Sequence, residues 1–185
     1  MTKQDIRKLA NAERHKLKSE DKKAFSHLIC EKLINMPELK DASVILSYRN
    51  MEDEVCLDEF HDWAKANGKT LAFPVCRDGG IMDAFVPGAE DAWEYDRYGI
   101  ASPVEKESVP VEPKDIDVII VPCVAFDEHL GRCGHGAGYY DRYIAKCPDA
   151  HLICVAFEAQ KVEKVVTDSN DFSMKKTVTC KKIYE

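Results

Sequence analysis

The chain alternates between segments with helical spacing and short, continuous apolar runs. Thr2 followed by Asp5 resembles the start of a capped helix, and the apolar positions after it recur at helical intervals. A second helix is expected to begin at Ser19 and to end at Pro37. The pattern thus predicts two basic N-terminal helices within residues 3–36.

Apolar runs predict the strands, and glycines mark several of the breaks between elements. The expected strands cover residues 42–48, 70–75, 117–124, 151–157 and, as an edge strand, 176–180. The remaining expectations are a helix that stops at Gly68, a helix from about Tyr139, a hairpin turn at Asp78-Gly79-Gly80 and mostly loop over residues 87–113.

Strands that alternate with helices and read as continuous apolar runs are typical of parallel sheets buried on both faces. We therefore predict an α/β fold, a three-layer α/β/α arrangement with a mostly parallel central sheet, in a single domain over residues 1–185. Ligands of such sheets bind at the carboxyl ends of the strands. The candidate loops are those after Tyr48, Val75, Val124 and Phe157.

Composition narrows the class of protein. The chain has 185 residues, of which 45% are apolar, and a formal net charge of −7. This apolar fraction excludes general disorder, and no apolar run approaches the roughly 20 residues of a membrane span. Net acidity argues against a nucleic-acid partner, and no protein partner is implied. The charged start lacks the apolar segment of an export signal, so a cytoplasmic protein is expected.

Eight cysteines are scattered along the chain, and no two form a Cys-x-x-Cys pair. Without an export signal, a reducing compartment is the natural environment for them. Clustered Cys or His at zinc-ligand spacing is missing from the sequence. We therefore interpret most of these cysteines as small buried hydrophobic residues.

Charge is unevenly distributed. Residues 1–23 contain eight basic and four acidic side chains, whereas residues 50–96 contain three basic and twelve acidic ones. Most of the N-terminal lysines fit a solvated helix face, but a few of them are candidates for contacts with an anion.

The strongest chemical signal lies in residues 121–143. Its centre reads Arg132-x-Gly134-x-Gly136-x-Gly138-Tyr139-Tyr140-Asp141-Arg142. Glycines at alternate positions leave backbone N–H groups able to converge on an anion, and the helix start adds a positive dipole end. Arg132 adds a fixed charge that suits phosphate, and Asp141 offers a carboxylate to magnesium. The segment predicts a phosphate-binding loop, although its spacing differs from Walker and dinucleotide-binding loops and a plain tight turn is the structural alternative.

This segment resembles the signature of the 5-formyltetrahydrofolate cyclo-ligases, also called 5,10-methenyltetrahydrofolate synthetases. The matching residues are Pro122, Ala125, Phe126, Asp127, Arg132, Gly134, Gly136, Gly138, Tyr139, Tyr140, Asp141 and Arg142. The resemblance extends over nearly the whole chain, and the matches outside the signature are Lys3, Arg7, Glu54, Gly99-Ile100, Gln160 and Asp171.

The resemblance implies an ATP- and Mg²⁺-dependent enzyme that converts 5-formyltetrahydrofolate to 5,10-methenyltetrahydrofolate through a phosphorylated formyl group. The implied ATP-binding residues are Lys3, Arg7, Arg132, Cys133, Gly134, His135, Gly136, Ala137, Gly138, Tyr139 and Tyr140. The implied folate-binding residues are Arg49, Met51, Glu54, His135, Gly136 and Tyr139. Arg132, Tyr140 and Asp141 are implied as catalytic residues, and Asp141 and Asp171 as magnesium ligands.

Other interpretations stay open at this point. Lys3 and Arg7 also fit ordinary surface charges, Glu54 fits a solvated acidic turn, and Asp171 fits an Asx turn. Cys56-Leu57 stands where the family often has Asp-Thr, which supports a rival hypothesis of a nucleotide- or folate-binding protein without turnover. A related phosphoryl-transfer enzyme with a different substrate is the third possibility.

Overall fold

The structure is a computed structural model that describes residues 1–89, 91–97 and 99–185. Residues 90 and 98, which belong to the predicted 87–113 loop, lie outside the described residues. The helices are α1 (Lys3–His15), α2 (Ser19–Asn35), α3 (Pro37–Asp41), α4 (Asp58–Ala66) and α5 (Tyr139–Ile144). The strands are β1 (Val44–Leu46), β2 (Thr70–Arg77), β3 (Ile81–Pro87), β4 (Trp93–Tyr95), β5 (Ala101–Pro103), β6 (Ser108–Val111), β7 (Val118–Pro122), β8 (Ala125–Phe126), β9 (Arg132–Cys133), β10 (His151–Val155), β11 (Lys176–Val178) and β12 (Ile183–Tyr184).

The central sheet is mostly parallel, as the sequence predicts. Its strand order is β12-β11-β10-β7-β1-β2-β3-β6. The strands from β11 to β2 pair in parallel, whereas β12 at one edge and β3 and β6 at the other run antiparallel to their neighbours. The predicted hairpin at residues 78–80 is confirmed, because it joins the antiparallel strands β2 and β3.

Helices cover both faces of the sheet, which explains the continuous apolar run of β7. Val118 and Ile120 pack in the core cluster that contains the apolar faces of α2, α3 and α4. Ile119 and Val121 point to the opposite face, in the cluster that contains Tyr143 of α5. The predicted three-layer α/β/α class is therefore confirmed.

The first helix begins with a capping box. Thr2 Oγ1 accepts the N–H of Asp5, and the Asp5 carboxylate accepts the N–H of Thr2. Ile6 and Ala10, both buried, pack in a separate apolar cluster with residues that flank β8 and β9. α1 is thereby fixed against the base of the glycine-rich segment.

Some boundaries differ from the prediction for local physical reasons. α2 ends before Pro37, as expected, but this proline then occupies the first turn of α3, where its missing N–H costs nothing. The predicted edge strand at residues 176–180 is β11, and it is not an edge, because Thr177 pairs with Tyr184 of β12. A two-residue strand is too short to leave a pattern in the sequence.

The cysteines are free thiols, and Cys30, Cys123, Cys133, Cys147 and Cys154 are buried, in agreement with their interpretation as small core residues. No helix within the described residues is both long and apolar enough to cross a membrane.

Gln160 provides a test of what holds the loops at the carboxyl edge of the sheet. Its buried amide donates to the carbonyls of Cys123 (2.7 Å) and Val124 (3.1 Å) and accepts the N–H of Phe157 (2.8 Å). Gln160→Ala leaves these buried backbone groups without partners, so we expect a loss of about 3 kcal/mol in the free energy of unfolding, measured by urea denaturation. Gln4→Ala, at an exposed position of α1, is the control and should leave the midpoint unchanged. An unchanged midpoint for Gln160→Ala would contradict this account.

Candidate functional site

A cavity of about 960 Å³ opens at the carboxyl ends of the central strands. Tyr48 after β1, Pro74 and Cys76 in β2, and Pro122 at the end of β7 line it, as the rule for parallel sheets predicts. The loop after Phe157 does not contribute, contrary to expectation, because Gln160 in this loop turns inward to bind backbone groups.

The structure brings all of the predicted site residues to this one cavity. The predicted residues that line it are Lys3, Arg7, Arg49, Met51, Glu54, Arg132, Cys133, Gly134, His135, Gly136, Ala137, Gly138, Tyr139, Tyr140, Asp141 and Asp171. They come from α1, the β1–α4 loop, the glycine-rich segment with α5, and the loop before β11. Their roles remain predictions, but their proximity is a property of the fold.

The glycine loop, residues 134–138, is shaped by conformations that side chains rarely adopt. Gly136 has φ +106° and Gly138 has φ +70°. A Cβ atom at Gly136 would lie 3.3 Å from the Arg7 guanidinium, so the loop and α1 approach each other closely here. Among the described residues, the N–H groups of this loop donate no hydrogen bond to the protein. They are available to an anion in the cavity.

The helix after the glycine loop contributes less to anion binding than the sequence suggests. α5 has six residues, so its macrodipole is short. Anion binding at this end of the cavity therefore depends on the loop N–H groups and on cationic side chains.

Arg132 is the buried cation of the site, with a side chain that is 5% exposed. Its Nε donates to the carbonyl of Pro122 (3.1 Å), and its Nη1 donates to Asp141 Oδ1 (3.1 Å). The guanidinium also lies 5.8 Å from the centroid of the Tyr140 ring. A buried guanidinium requires such partners, and they fix its position at the end of β7.

Two further cations come from α1. Arg7 Nε donates to the carbonyl of Gly134 (2.7 Å). Lys3 Nζ lies 2.5 Å from Asp171 Oδ2 and 2.7 Å from Asp168 Oδ2. These two pairs raise the pKa of Lys3 against the effect of its partial burial, so it remains charged.

The predicted metal ligands, Asp141 and Asp171, each pair with a cation of the same cavity. Among the described residues, no group of three or more His, Cys, Asp or Glu side chains is placed to hold a metal ion. Magnesium, however, typically binds through one or two carboxylates together with phosphate oxygens and water. The two carboxylates therefore fit a Mg²⁺ ion that arrives with a polyphosphate.

The same cavity contains a buried carboxylate. Glu54 is 8% exposed, and its Oε2 accepts the N–H of Met51 (2.9 Å). Burial raises the pKa of Glu54, while the Met51 N–H and the charge of Arg14 oppose this shift. Glu54 Oε1 lies 3.9 Å from Nε2 of His135, which belongs to the glycine loop.

Arg49 lies at the rim and is held by two contacts. Its Nη1 is 3.0 Å from Asp58 Oδ1, and its guanidinium lies 5.2 Å from the centroid of the Trp93 ring. Tyr139 and Tyr140 also line the cavity. Burial of the Tyr140 hydroxyl raises the pKa of Tyr140, so it remains a neutral hydrogen-bond donor. The Tyr139 hydroxyl donates to the carbonyl of Arg77 (3.0 Å).

Several lining residues were not predicted as site residues. Arg142 braces the glycine loop, because its guanidinium donates to the carbonyls of Ala137 and Gly80. Arg142 is the last residue of the glycine-rich motif that begins at Arg132, and its place in that motif is the sequence signal that could have identified it. Asp96, Ile100 and Ser102 come from the predicted 87–113 loop, whose polar composition did not reveal which residues face inward.

The loop before β11 contributes residues 168–172 to the cavity. Asp168 Oδ1 accepts the N–H of Asn170 (2.9 Å), and Asp171 Oδ2 accepts the N–H of Asp168 (2.7 Å). The Asx turn of this segment is therefore formed by Asp168 and not by Asp171, for which it was considered, and both residues also line the cavity. Asp168 lies three residues before Asp171, but nothing in the sequence distinguished it.

Asp127 and Gln160, which both match the family pattern, bind backbone groups and do not line the cavity. Asp127 is 3% exposed and accepts the N–H groups of His129, Gly131 and Val165 at 2.7–2.9 Å. Gln160 ties the segment after β7 to the segment after β10. Both residues stabilise the loops on which the site residues lie.

Comparison with known proteins agrees with this geometry. The probable 5-formyltetrahydrofolate cyclo-ligase of Schizosaccharomyces pombe is 34% identical over 149 residues, which cover 79% of this chain and 73% of that protein. The 5-formyltetrahydrofolate cyclo-ligase of Mycoplasma genitalium is 28% identical over 166 residues, covering 87% and 88% of the two chains.

Solved structures share the fold. The Aquifex aeolicus 5,10-methenyltetrahydrofolate synthetase superposes with a TM-score of 0.86 at 29% identity, over 99% of this chain and 92% of that one. The Mycoplasma pneumoniae 5,10-methenyltetrahydrofolate synthetase has a TM-score of 0.80 at 23% identity, over 97% and 99%, and this likeness concerns the fold alone.

Residues 1–180 match the profile of the 5-formyltetrahydrofolate cyclo-ligase family, a range that includes α1 and every element that lines the cavity. The chain therefore belongs to the 5-formyltetrahydrofolate cyclo-ligase family.

Proposed function

We propose that this protein is an ATP- and Mg²⁺-dependent cyclo-ligase that converts 5-formyltetrahydrofolate to 5,10-methenyltetrahydrofolate and releases ADP and phosphate. One observation carries the proposal: a single cavity is lined by a glycine loop, by three cations and by a buried carboxylate, Glu54. Such a cavity suits a polyphosphate beside a ring system with N–H donors. Membership of the family supports the same reaction.

The phosphate end binds ATP in this proposal. The N–H groups of the glycine loop and the side chains of Lys3, Arg7 and Arg132 contact the phosphates. Lys3 and Arg132 exchange their carboxylate partners for phosphate oxygens, while Asp171 and Asp141 hold Mg²⁺. This exchange leaves no buried charge unpaired. When bound, Mg²⁺ neutralises phosphate charge and fixes the position of the triphosphate.

The carboxylate end binds the reduced folate. Glu54 accepts N–H groups of the pterin ring, and Met51 and Arg49 lie beside it on the same loop. His135 and Gly136 of the glycine loop, together with Tyr139, lie close to both ligands. In this proposal the formyl group of the folate lies next to the γ-phosphate of ATP, so the reaction is chiefly one of positioning.

The reaction proceeds in two steps in this proposal. The formyl oxygen attacks the γ-phosphorus of ATP, the bond to the bridging oxygen breaks, and ADP leaves. The formyl carbon now carries a phosphate group, which leaves far more readily than the unmodified formyl oxygen. The neighbouring bridge nitrogen then attacks this carbon, loses its proton, and phosphate departs with its bonding electrons to give the methenyl product. Arg132 stabilises charge on the transferred phosphoryl group, and the neutral Tyr140 hydroxyl donates to it.

The first prediction tests the reaction and the magnesium carboxylate together. The purified protein is mixed with 5-formyltetrahydrofolate, Mg²⁺ and ATP, and the near-ultraviolet band of the methenyl product is followed. We expect growth of this band that depends on ATP. Asp141→Asn should reduce kcat/KM by about 10²-fold and raise the Mg²⁺ concentration needed for half-maximal rate, because it removes a charged ligand.

The matched control for this substitution is Asp149→Asn, an exposed carboxylate after α5, which should behave as wild type. A flat trace from folded wild-type protein that still binds ATP would reject the cyclo-ligase and favour a binding protein without turnover. An unchanged Mg²⁺ requirement in Asp141→Asn would remove Asp141 from the proposed metal site.

The second prediction concerns the glycine loop. Gly136→Ala places a Cβ atom 3.3 Å from the Arg7 guanidinium and strains a residue with φ +106°. We expect KM for ATP to rise about tenfold and KM for folate to rise less, because the loop N–H groups are displaced from the phosphates. Steady-state kinetics with each substrate varied in turn provides the measurement.

Gly68→Ala is the control for backbone strain, since Gly68 has φ +69° at the end of α4 and lies away from the cavity. It should lower the melting temperature without changing either KM. Equal effects of both substitutions on KM for ATP would show that the Gly136 result reflects general destabilisation.

A further inference from the structure

Arg49 lines the cavity, but the proposed reaction gives its positive charge no partner in either ligand. The other lysine and arginine side chains in the described lining already have tasks. Lys3, Arg7 and Arg132 are assigned to the phosphates of ATP, and Arg142 donates to two backbone carbonyls. The charge of Arg49 is therefore available to a second anionic group.

One edge of the Arg49 guanidinium is held by the protein and another edge is open. Nη1 of Arg49 donates to Asp58 Oδ1 (3.0 Å). Among the residues that the structure describes, Nε and Nη2 of Arg49 donate no hydrogen bond to the protein. The side chain is 38% exposed, so a ligand can reach both groups. The Nε–H and Nη2–H bonds are parallel, and this edge of a guanidinium fits the two oxygens of a carboxylate.

The position of the open edge is fixed by contacts that lead into the core. The Arg49 guanidinium lies 5.2 Å from the centroid of the Trp93 ring. Trp93 in turn packs edge-on against Phe73, with 5.0 Å between the ring centroids, and Phe73 is buried. Asp58, the other partner of Arg49, is the first residue of α4. A side chain held in this way loses little further conformational freedom when it binds an anion, which lowers the entropic cost of binding.

The local charge requires a cation if an anionic ligand is to bind here. The β1–α4 loop that contains Arg49 also carries Glu52, Asp53 and Glu54. These carboxylates repel an anion unless a positive charge compensates for them. The proposed substrate has both characters, because the pterin ring offers N–H donors to Glu54 while the glutamate tail of the folate ends in two carboxylates. Arg49 supplies the compensating charge on the same loop.

We propose that the Nε–Nη2 edge of Arg49 binds a carboxylate of the glutamate tail of the reduced folate, and that Asp58 and Trp93 are positioning residues for this guanidinium. This inference rests on the proposed function and extends it from the pterin ring to the tail. Arg49 thereby makes the enzyme selective for substrates with an anionic tail over 5-formyltetrahydropterins that lack one.

The test compares two ligands in wild-type protein and in Arg49→Met by calorimetric titration. One ligand is 5-formyltetrahydrofolate, and the other is 5-formyl-6-methyltetrahydropterin, which has the same ring system without the tail. We expect Kd for the folate to rise about fivefold in Arg49→Met, since a partly exposed charge-assisted pair is lost. Kd for the pterin should not change, and neither should KM for ATP.

Two further variants separate the charge of Arg49 from general effects of substitution. Lys65→Met removes an exposed charge from α4, the helix that begins with Asp58, and should bind both ligands as wild type does. Arg49→Lys keeps the charge but loses the two-donor edge, so it should recover part of the loss in folate binding. Arg49→Lys also provides the measurement if Arg49→Met folds poorly, with Kd for the folate expected between those of wild type and Arg49→Met.

Three results would overturn the inference. An unchanged Kd for the folate in Arg49→Met would remove Arg49 from the tail site. An equal rise in Kd for both ligands would show that Arg49 supports the pocket for the ring and does not contact the tail. A rise in KM for ATP with unchanged folate binding would assign Arg49 to phosphate. Absence of methenyl product with wild-type protein would instead reject the proposed reaction, and the two titrations, which need no turnover, would still report on Arg49.

Discussion

The partners of one buried guanidinium determine how the rest of the site is arranged. Arg132 is held at one end by the Pro122 carbonyl and at the other by Asp141, so the end of β7 and the start of α5 have a fixed separation. The chain between them must pass close to this side chain: a Cβ atom at Gly134 would lie 2.7 Å from Arg132 Nη2. The glycine at position 134 is therefore a consequence of burying a cation at the edge of a parallel sheet, where a charge without partners would be costly.

The sequence predicts the parts of the fold whose signals are local. The apolar run of β7, the capping box of α1 and the turn at residues 78–80 each depend on neighbouring residues, and the structure confirms them. The site could be located because parallel strands bring their carboxyl ends together and because the glycine-rich signature follows one of those ends.

What the sequence does not show depends on contacts between distant segments. β12 consists of two residues and is defined only by its pairing with β11. Arg142 contacts the carbonyl of Gly80, 62 positions away. Such relations exist in three dimensions and leave no pattern in a single sequence.

The glycine loop separates two kinds of recognition within one cavity. In the proposed function, the loop contacts phosphate through its main-chain N–H groups, and the side chain of Ala137 is exposed. At its carboxylate end, recognition depends on the identity of the Glu54 side chain and of its surroundings. In the proposed function, substitutions at position 137 can therefore accumulate during evolution with little effect on nucleotide binding, whereas an exchange of Glu54, or of His135 at 3.9 Å from it, would change the acceptor. Divergence of substrate range in this scaffold is expected to begin in the β1–α4 loop.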